Sequence, residues 1–308
     1  MRTRRAGFSR TSPTVVLPGT TPEVASAAPI LIDVLRLSTT YLGDHGSTTA
    51  RLDSELLCAQ ALGIRRLDLY LQFDRPLDER ELSAIRELVR RRGKGEPVAY
   101  ITGGREFYGR SYTVTGDVLI PRPDTETLVE RGLLALRARD GHPARVADLG
   151  TGSGCIAITL AAEVPGTTVI ATDVSAAALE VARANAERLE VAATFVECSW
   201  ADALEGSFDL VVSNPPYVTA DELAGVDRDV RDFEPHGALL GGADGLDAYR
   251  ALLASIRAHV TTARLLLEVD PRRATDVGAL VEEALPGMSV SMVPDLTGRI
   301  RVLDAEQR

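Results

Sequence analysis

Four consecutive residues, Asn214-Pro215-Pro216-Tyr217, carry groups suited to holding a weakly nucleophilic nitrogen while it attacks a carbon electrophile. The apolar run from residue 208 to 213 predicts a buried strand before them, and open α/β sheets bind ligands beyond the carboxyl ends of their strands. The Asn214 side-chain carbonyl can accept one N–H group of a planar amide or amine. The Pro215 backbone carbonyl, kept in place by the fixed φ of proline, can accept the other, and Tyr217 can cover the flat group. We predict Asn214, Pro215 and Tyr217 as catalytic residues, with Pro216 completing the substrate site.

A second set of residues predicts a site for a ribose-containing cofactor. Residues 144–149 indicate a short strand, a glycine-rich turn follows it, and residues 155–162 indicate a helix. The glycines permit positive φ and a close approach of a ligand to the backbone. A second strand, residues 168–172, leads into Asp173, close to the roughly 20-residue spacing expected of a carboxylate that binds ribose hydroxyls. The turn itself is Gly150-Thr151-Gly152-Ser153-Gly154.

The glycine spacing separates two classes of cofactor. Dinucleotide sites use G-x-G-x-x-G and place a pyrophosphate on a helix N-terminus, whereas this chain has G-x-G-x-G directly after Asp148 and Leu149. A carboxylate at Asp148 would repel a pyrophosphate but suits the ammonium group of an amino-acid-bearing cofactor. With the Asn-Pro-Pro-Tyr turn, this pattern predicts S-adenosyl-L-methionine. The residues predicted to bind it are Asp148, Gly150, Thr151, Gly152, Ser153, Gly154, Asp173, Trp200 and Asn214.

Two of these features also have ordinary structural explanations. Trp200, the single tryptophan, could cover an adenine or could equally be a core or loop residue. A proline-rich turn after a strand is common in proteins without any function there. The prediction therefore depends on the glycine turn, Asp173 and Asn214 occurring together.

Composition and charge narrow the class of protein. Among 308 residues, 45% are hydrophobic and 25% are charged, which is typical of a soluble globular protein. The net charge of −10 disfavours a nucleic-acid substrate, because proteins that bind phosphates broadly are usually basic. The three cysteines lack paired spacing, which indicates a reduced, cytoplasmic protein. The four scattered histidines predict no metal site, and no apolar run approaches the roughly 20 residues of a membrane span.

Hydrophobic periodicity predicts four regions along the chain. In the second region, residues 30–105, apolar residues recur at helical spacing. Asp78 is predicted to cap a helix there that begins near Glu79. In the third region, residues 106–123, apolar and polar residues alternate imperfectly around a predicted turn at residues 115–117. In the fourth, residues 124–308, predicted strands alternate with predicted helices, which implies a parallel sheet. The regions are a disordered extension at 1–29, a helical bundle at 30–105, a β-hairpin linker at 106–123 and an α/β domain at 124–308.

Several segments together resemble the release factor glutamine methyltransferases, the HemK/PrmC family of class I methyltransferases. The most specific is Leu119-Ile120-Pro121-Arg122-Pro123-Asp124-Thr125-Glu126, which precedes the glycine turn and the Asn-Pro-Pro-Tyr turn. The remaining segments are 50–57, 95–103, 106–109, 233–235 and 241–246.

The resemblance implies a fold, an activity and a partner. The fold would be α/β, with a seven-stranded, mostly parallel Rossmann-like class I methyltransferase domain, a small N-terminal helical domain that recognises the substrate, and a β-hairpin linker. The activity would be methyl transfer from S-adenosylmethionine to the glutamine amide nitrogen in the Gly-Gly-Gln loop of peptide chain release factors. Phe107 would form part of an aromatic wall near the methyl group. We expect a monomer that contacts neither a membrane nor nucleic acid directly.

The chain departs from the family pattern at three places, and two other substrates fit the same chemistry. Ser199 stands where the family has an acidic residue before the tryptophan, Val269-Asp270-Pro271 replaces a glycine-containing segment, and residues 1–28 have no counterpart. A glutamine of a ribosomal protein, or the exocyclic amine of adenine in DNA or RNA, would present the same N–H geometry to Asn214. The acidic net charge and the 119–126 segment favour the release factor.

Overall fold

The computed structural model describes residues 28–139 and 141–308. The predicted disordered extension therefore lies outside the described residues, apart from residues 28 and 29. The helices are α1 (Leu31–Asp44), α2 (Ala50–Leu62), α3 (Arg66–Leu71), α4 (Glu79–Gly93), α5 (Val98–Thr102), α6 (Glu126–Arg137), α7 (Cys155–Glu163), α8 (Ala176–Arg188), α9 (Ala220–Leu223), α10 (Arg228–Phe233), α11 (Asp247–His259) and α12 (Ala274–Ala284). The strands are β1 (Gly104–Phe107), β2 (Arg110–Thr113), β3 (Arg145–Leu149), β4 (Thr168–Asp173), β5 (Thr194–Glu197), β6 (Gly206–Phe208), β7 (Leu210–Ser213), β8 (Val260–Thr262), β9 (Arg264–Glu268), β10 (Met288–Pro294) and β11 (Ile300–Gln307).

Helices α1 to α5 form the predicted helical region around a separate apolar core that includes Leu31, Leu57 and Ile85. Asp78 caps α4 as predicted, because its side chain accepts a hydrogen bond from the Glu81 N–H. Leu52 in α2 is exposed although it is apolar. That helix turns a polar face inward, where Asp53 is buried.

The hairpin that follows differs from its prediction. The structure pairs β1 with β2 and opposes Phe107 to Arg110, so the turn is Tyr108-Gly109 and not residues 115–117. Both turn residues have positive φ, which is the geometry of a tight two-residue hairpin turn. Residues 115–117 form only a local turn closed by the Thr115 and Asp117 side chains.

The predicted seven-stranded, mostly parallel sheet is confirmed, with the strand order β10-β11-β9-β7-β3-β4-β5. Strands β9, β7, β3, β4 and β5 run parallel, and β11 and β10 close one edge in antiparallel pairing. The predicted strand at 208–213 is shorter: Phe208 pairs with β8, and Asp209 separates it from β7. In the part of the chain that the structure describes, no helix is long and apolar enough to cross a membrane.

The strand order reverses between β3 and β7. From β3 the chain winds outward through β4 and β5, while β7 and β9 lie on the other side. Such a reversal leaves a crevice at the carboxyl ends of the two strands, because the connections leave in opposite directions. The glycine turn follows β3 and the Asn-Pro-Pro-Tyr turn follows β7, so both predicted motifs meet at this crevice.

Candidate active site

A cavity of about 440 Å³ opens at the carboxyl ends of β3, β4 and β7. It falls within the range of roughly 300–1,000 Å³ that is usual for small-molecule sites. Most of the residues predicted to bind the cofactor lie on its wall: Gly150, Thr151, Gly152, Ser153, Asp173, Trp200 and Asn214.

A second cavity of about 460 Å³ adjoins the first on the side of α9 and α10. Pro215 and Tyr217 line only this second cavity, whereas Asn214 and Pro216 line both. The Asn-Pro-Pro-Tyr turn thus forms part of the partition between two spaces. A ligand in one cavity and a side chain in the other would meet at Asn214.

The glycines of the turn have different tasks. Gly150 has a φ of +77°, and a side chain there would place Cβ 3.3 Å from Cζ3 of Trp200, so the tryptophan ring packs against bare backbone. Gly152 has a φ of +55° with no described atom within 4 Å of where its Cβ would be, so it leaves the cavity open. At Gly154 a Cβ would come within 2.8 Å of Ile158 and 3.2 Å of Ala182. Gly154 therefore serves the packing of α7 against α8 and does not line the cavity.

Asp173 ends β4 with its carboxylate at the cavity wall. Its Oδ2 accepts a hydrogen bond from the Gly152 N–H at 2.9 Å, and its Oδ1 accepts one from the Ser175 N–H at 2.9 Å. These two backbone donors fix the carboxylate in one orientation and tie the glycine turn to the end of β4. The neighbouring Val174 also lines the cavity with an unusually exposed apolar side chain, 76% accessible.

Trp200 lines the cavity in a backbone conformation that is rare for a bulky residue. Its φ is +46°, in the left-handed region. Two hydrogen bonds to its carbonyl hold the segment: the Thr172 hydroxyl donates at 2.7 Å and the Cys198 thiol at 3.4 Å. Ser199 lies beside it on the wall, and Asp202, the next acidic residue, instead accepts from Ser255 outside the cavity.

Asp148 is placed behind the glycine turn and not on the cavity wall. It is fully buried, and its Oδ2 accepts hydrogen bonds from the Thr151 hydroxyl at 2.6 Å and the Ala157 N–H at 3.1 Å. Its Oδ1 has no hydrogen-bond partner among the described residues. Burial raises the pKa of Asp148 to about 7, although its two hydrogen bonds favour the ionised form. The residue braces the glycine turn from beneath.

The Asn214 side chain is oriented by one hydrogen bond. Its Nδ2 donates to the Thr125 hydroxyl oxygen at 3.3 Å. Within residues 28–139 and 141–308, no group donates to the Asn214 Oδ1 or to the Pro215 carbonyl. The turn therefore has two vacant acceptors, as a bound NH2 group would require.

Backbone pairing holds the Asn-Pro-Pro-Tyr turn in place from the other side. The Val218 N–H donates to Leu239 and the Gly241 N–H donates to Val218, both at 2.9 Å. At Gly241 the chains approach so closely that a Cβ would lie 2.6 Å from the Pro216 carbonyl oxygen. The glycine-rich segment 241–245 is thus a support for the turn.

Two aromatic residues of the prediction have different locations. Tyr217 is partly buried in the second cavity, and burial raises its pKa to about 12, so its hydroxyl stays neutral near pH 7. Phe107 was expected beside the transferred methyl group, but it lines neither cavity. It is 1% exposed and packs edge-on against Tyr112 in the core under the hairpin.

The structure also brings forward residues to which the sequence assigned no role. Thr125 and Arg122 lie on the cavity wall, and both belong to the 119–126 segment that carries the family resemblance. Glu268 lies on the wall of the second cavity. Its position at the end of an apolar strand was a signal available in the sequence, since the other strand ends carry Asp173 and Asn214.

Comparison with known proteins agrees with this geometry. The family model for the PrmC N-terminal domain matches residues 33–103, and the model for the methyltransferase small domain matches residues 128–228. The chain is 39% identical over 281 residues to the release factor glutamine methyltransferase of Rhodopirellula baltica, covering 89% of this chain and 95% of that one. It is 43% identical over 278 residues to the enzyme of that name from Cereibacter sphaeroides, covering 89% and 97%. The corresponding protein of Geobacter sulfurreducens is 46% identical over 214 residues, covering 69% and 74%.

A solved structure with a similar fold is the hMettl16 catalytic domain, determined in complex with the MAT2A 3′UTR hairpin 6. The TM-score is 0.52 at 16% identity, and the match covers 68% of this chain and 81% of that one. At this level of identity the likeness supports the α/β methyltransferase architecture alone.

Proposed function

The chain belongs to the release factor glutamine methyltransferase family, and from that membership we propose that it methylates the glutamine of the Gly-Gly-Gln loop in peptide chain release factors. The methyl donor would be S-adenosylmethionine, and the acceptor would be the side-chain amide nitrogen. The observation that carries the proposal is the pair of vacant carbonyl oxygens, Asn214 Oδ1 and the Pro215 carbonyl, at the junction of two cavities. This substrate works in translation, so we place the enzyme in the cytoplasm.

The first cavity fits the cofactor in its chemistry. The Asp173 carboxylate would accept hydrogen bonds from ribose hydroxyls, and such charge-assisted bonds contribute about 1.5–3 kcal/mol each. Trp200 and the exposed Val174 offer apolar surface to an adenine ring. The open backbone at Gly150 and Gly152 leaves room for the amino-acid part, above the buried carboxyl group of Asp148. When bound, the cofactor supplies an electrophilic methyl group.

The second cavity would receive the substrate glutamine. Asn214 and Pro215 would accept its two amide N–H groups, which fixes the amide plane and directs the nitrogen lone pair toward the first cavity. Pro216 and Tyr217 would enclose the side chain and exclude water. Orientation of this kind can supply on the order of 7–11 kcal/mol of a barrier. The helical region of α1 to α5 would contact the rest of the release factor.

Mass spectrometry of a purified release factor incubated with the enzyme and methyl-labelled S-adenosylmethionine tests this proposal. We expect one labelled methyl group on the Gly-Gly-Gln glutamine and none on a release factor in which that glutamine is replaced by alanine. Parallel reactions with ribosomal proteins and with adenine-containing oligonucleotides test the two alternative substrates, whose NH2 groups have the same geometry. Label in one of those reactions, with none on the release factor, would refute the proposal.

A further inference from the structure

The two cavities share five lining residues, which come from three segments far apart in the sequence. These residues form the partition across which a methyl group would pass, and the proposed reaction already uses Asn214 and Pro216. Arg122 has no task in it, although it is the only cation among the described residues that line the first cavity. The five shared residues are Leu119, Arg122, Asn214, Pro216 and Ala238.

Glu234 holds Arg122 from behind the cavity wall. It lines neither cavity, and its side chain is only 1% exposed. One carboxylate oxygen, Oε1, accepts a hydrogen bond from Arg122 Nη2, and the other, Oε2, accepts one from the Ile120 N–H at 3.2 Å. Removal of one partner from a buried ion pair leaves an uncompensated charge, which is strongly unfavourable. The Arg122 side chain is therefore fixed in place by a buried acid.

This ion pair also joins two walls of the first cavity. One wall is the segment 117–122, which contains Arg122 and Ile120, and the other is the segment 235–238, which directly follows Glu234. The pair thus gives a role to the Phe233-Glu234-Pro235 segment, which the proposed reaction does not use. Its two partners are 112 residues apart in the sequence, so only the folded chain brings them together.

An unpaired arginine at this wall would oppose the charge of the methyl donor. S-adenosylmethionine has a positive sulfonium, whereas its product, S-adenosylhomocysteine, has a neutral thioether in the same place. Arg122 and Glu234 together carry no net charge, so the paired wall does not repel the sulfonium. Burial raises the pKa of Glu234, and the Arg122 ion pair and the Ile120 N–H group act against this rise because they favour the ionised form.

We infer that Glu234 is a positioning residue that fixes and neutralises Arg122 at the junction of the two cavities, and so allows a positively charged methyl donor to bind there. The inference rests on the proposed function for the identity of the donor. It assigns to Glu234 an effect on the choice between the charged cofactor and its neutral product. A purely structural residue would affect the binding of both molecules equally.

Calorimetry of the free enzyme with each cofactor form, at pH 7.5, measures this choice in Glu234→Gln. Glutamine has nearly the same shape and can still accept from Arg122 and Ile120, but it has no charge. Two like charges about 10 Å apart, at the effective dielectric near a protein surface, change an equilibrium by about tenfold. We expect S-adenosylmethionine to bind about tenfold more weakly than to the wild type, and S-adenosylhomocysteine to stay within about threefold. Equal losses for the two cofactor forms would overturn the inference.

Removal of the arginine should reverse the effect. The double variant Arg122→Met/Glu234→Gln has neither charge, so the ratio of the two dissociation constants should return to the wild-type value. Arg122→Met alone keeps the acid and tests the charge without any change at Glu234. It should bind S-adenosylmethionine at least as well, relative to S-adenosylhomocysteine, as the wild type does. A selective loss of S-adenosylmethionine in Arg122→Met, or a ratio in the double variant that stays as in Glu234→Gln, would contradict the inference.

Asp304→Asn is the matched control for the loss of a buried carboxylate. Asp304 is 2% exposed, pairs with Arg131 and Arg264, and lines neither cavity. This substitution should change both dissociation constants by the same factor. A selective loss of S-adenosylmethionine in Asp304→Asn would show that the effect does not depend on the place of the charge, and would count against a specific role for Glu234.

These titrations contain no release factor, so they are separate from the test of the proposed function. A shifted ratio in Glu234→Gln without methylation of the release factor would remove the proposed acceptor and leave the role of Glu234 intact. Methylation of the release factor with an unshifted ratio would do the reverse. If the wild-type enzyme binds neither cofactor form, the inference and the proposed methyl donor are both wrong.

Discussion

At the scale of single residues, Asp173 and Asn214 divide the site into a part that would hold the cofactor and a part that would hold the substrate. Asp173 lines only the first cavity, and Asn214 lines both. We expect Asp173→Asn to weaken S-adenosylmethionine binding by about 10- to 100-fold, since charge-assisted hydrogen bonds contribute about 1.5–3 kcal/mol. Asn214→Ala should leave the cofactor dissociation constant within about threefold and lower kcat by at least about 100-fold.

Calorimetry for cofactor binding and a methyl-transfer assay for kcat separate the two effects. Asparagine can still accept hydrogen bonds from Gly152 or Ser175, so Asp173→Asn tests the charge with less disturbance than alanine would. Equal losses of cofactor affinity in both variants would show that the two residues do not have separate roles.

Asp148 predicts how the stability of the free enzyme depends on pH. Its pKa is raised from the ordinary 3.8 to about 7, so between these values the folded state holds a proton that the unfolded state releases. Stability is then lost as the pH rises through this window, by up to about 4 kcal/mol at 1.36 kcal/mol per unit. Asn cannot ionise and can still accept from Thr151 and Ala157. We expect Asp148→Asn to match the wild type at pH 5 and to exceed it by about 2–4 kcal/mol at pH 8.5.

Urea unfolding of both proteins at the two pH values, without cofactor, measures this difference. Groups that are common to both proteins cancel in the comparison, so the change with pH belongs to residue 148. A stability difference that stays constant between pH 5 and 8.5 would show that Asp148 does not titrate as its burial implies.

At the scale of elements, the segment 239–241 supports the substrate turn by backbone contact. A Cβ at Gly241 would lie 2.6 Å from the Pro216 carbonyl oxygen and 2.7 Å from the Tyr217 Cα, so the two segments must separate. A shift near 1 Å at the turn corresponds to about 100-fold in rate. We therefore expect Gly241→Ala to lower kcat by about that factor with little change in cofactor affinity.

Gly43→Ala is the matched control for this substitution. Gly43 lies in α1, where a Cβ would make only an ordinary contact of 3.9 Å with Ala50. This variant should keep wild-type kcat and cofactor affinity. If Gly241→Ala behaves like Gly43→Ala in the methyl-transfer assay, the close approach of the two segments has no bearing on the reaction.

The elements also show which features the sequence could predict and why others escaped. The alternation of apolar strands with helices predicts the sheet, because the central parallel strands β3, β7 and β9 are buried on both faces and have short apolar sequences. The hairpin turn was misplaced because Tyr108 has a positive φ, which an aromatic residue seldom adopts. Its N–H donates to Glu126 at 2.9 Å, a contact 18 residues distant that stabilises the turn. The conformational preferences of the turn residues themselves cannot predict such a contact.

The residues of the site likewise divide into those that local sequence pattern predicts and those that long-range packing places. The residues that project from strand ends, Asp173 and Asn214, were predictable because their positions follow from strand bounds and register. The buried location of Phe107 depends on how the hairpin packs on a core that includes Leu128 and Ile156, and the hydrogen bond from Asn214 to Thr125 joins residues 89 positions apart. Both are decided by packing between segments far apart in sequence.

At the scale of the whole molecule, a largely buried arginine joins the helical region to the methyltransferase domain. Arg92 near the end of α4 bonds to Asp53 in α2 at 2.7 Å and to Asp229 in α10 at 3.1 Å, with its side chain 11% exposed. Arg90, two residues earlier, is half exposed, and among the described residues it pairs only with Glu87 on its own helix. Substitution of Arg92 therefore tests the contact between the two domains, and substitution of Arg90 is a control on the same helix.

We expect Arg92→Ala to affect the whole release factor more than a short peptide that contains its Gly-Gly-Gln loop. Loss of the bridge leaves the buried Asp53 without its cation, which should cost about 3–5 kcal/mol of unfolding free energy. It should also loosen the surface that would receive the rest of the substrate. The kcat/KM for the whole release factor should then fall about tenfold further than that for the peptide, equivalent to about 1.4 kcal/mol. Arg90→Ala should leave kcat/KM unchanged for both the release factor and the peptide, because an exposed ion pair on one helix contributes less than about 1 kcal/mol. Steady-state kinetics on the two substrates measure these values. If Arg92→Ala lowers kcat/KM equally for the release factor and for the peptide, the helical region has no part in binding the release factor.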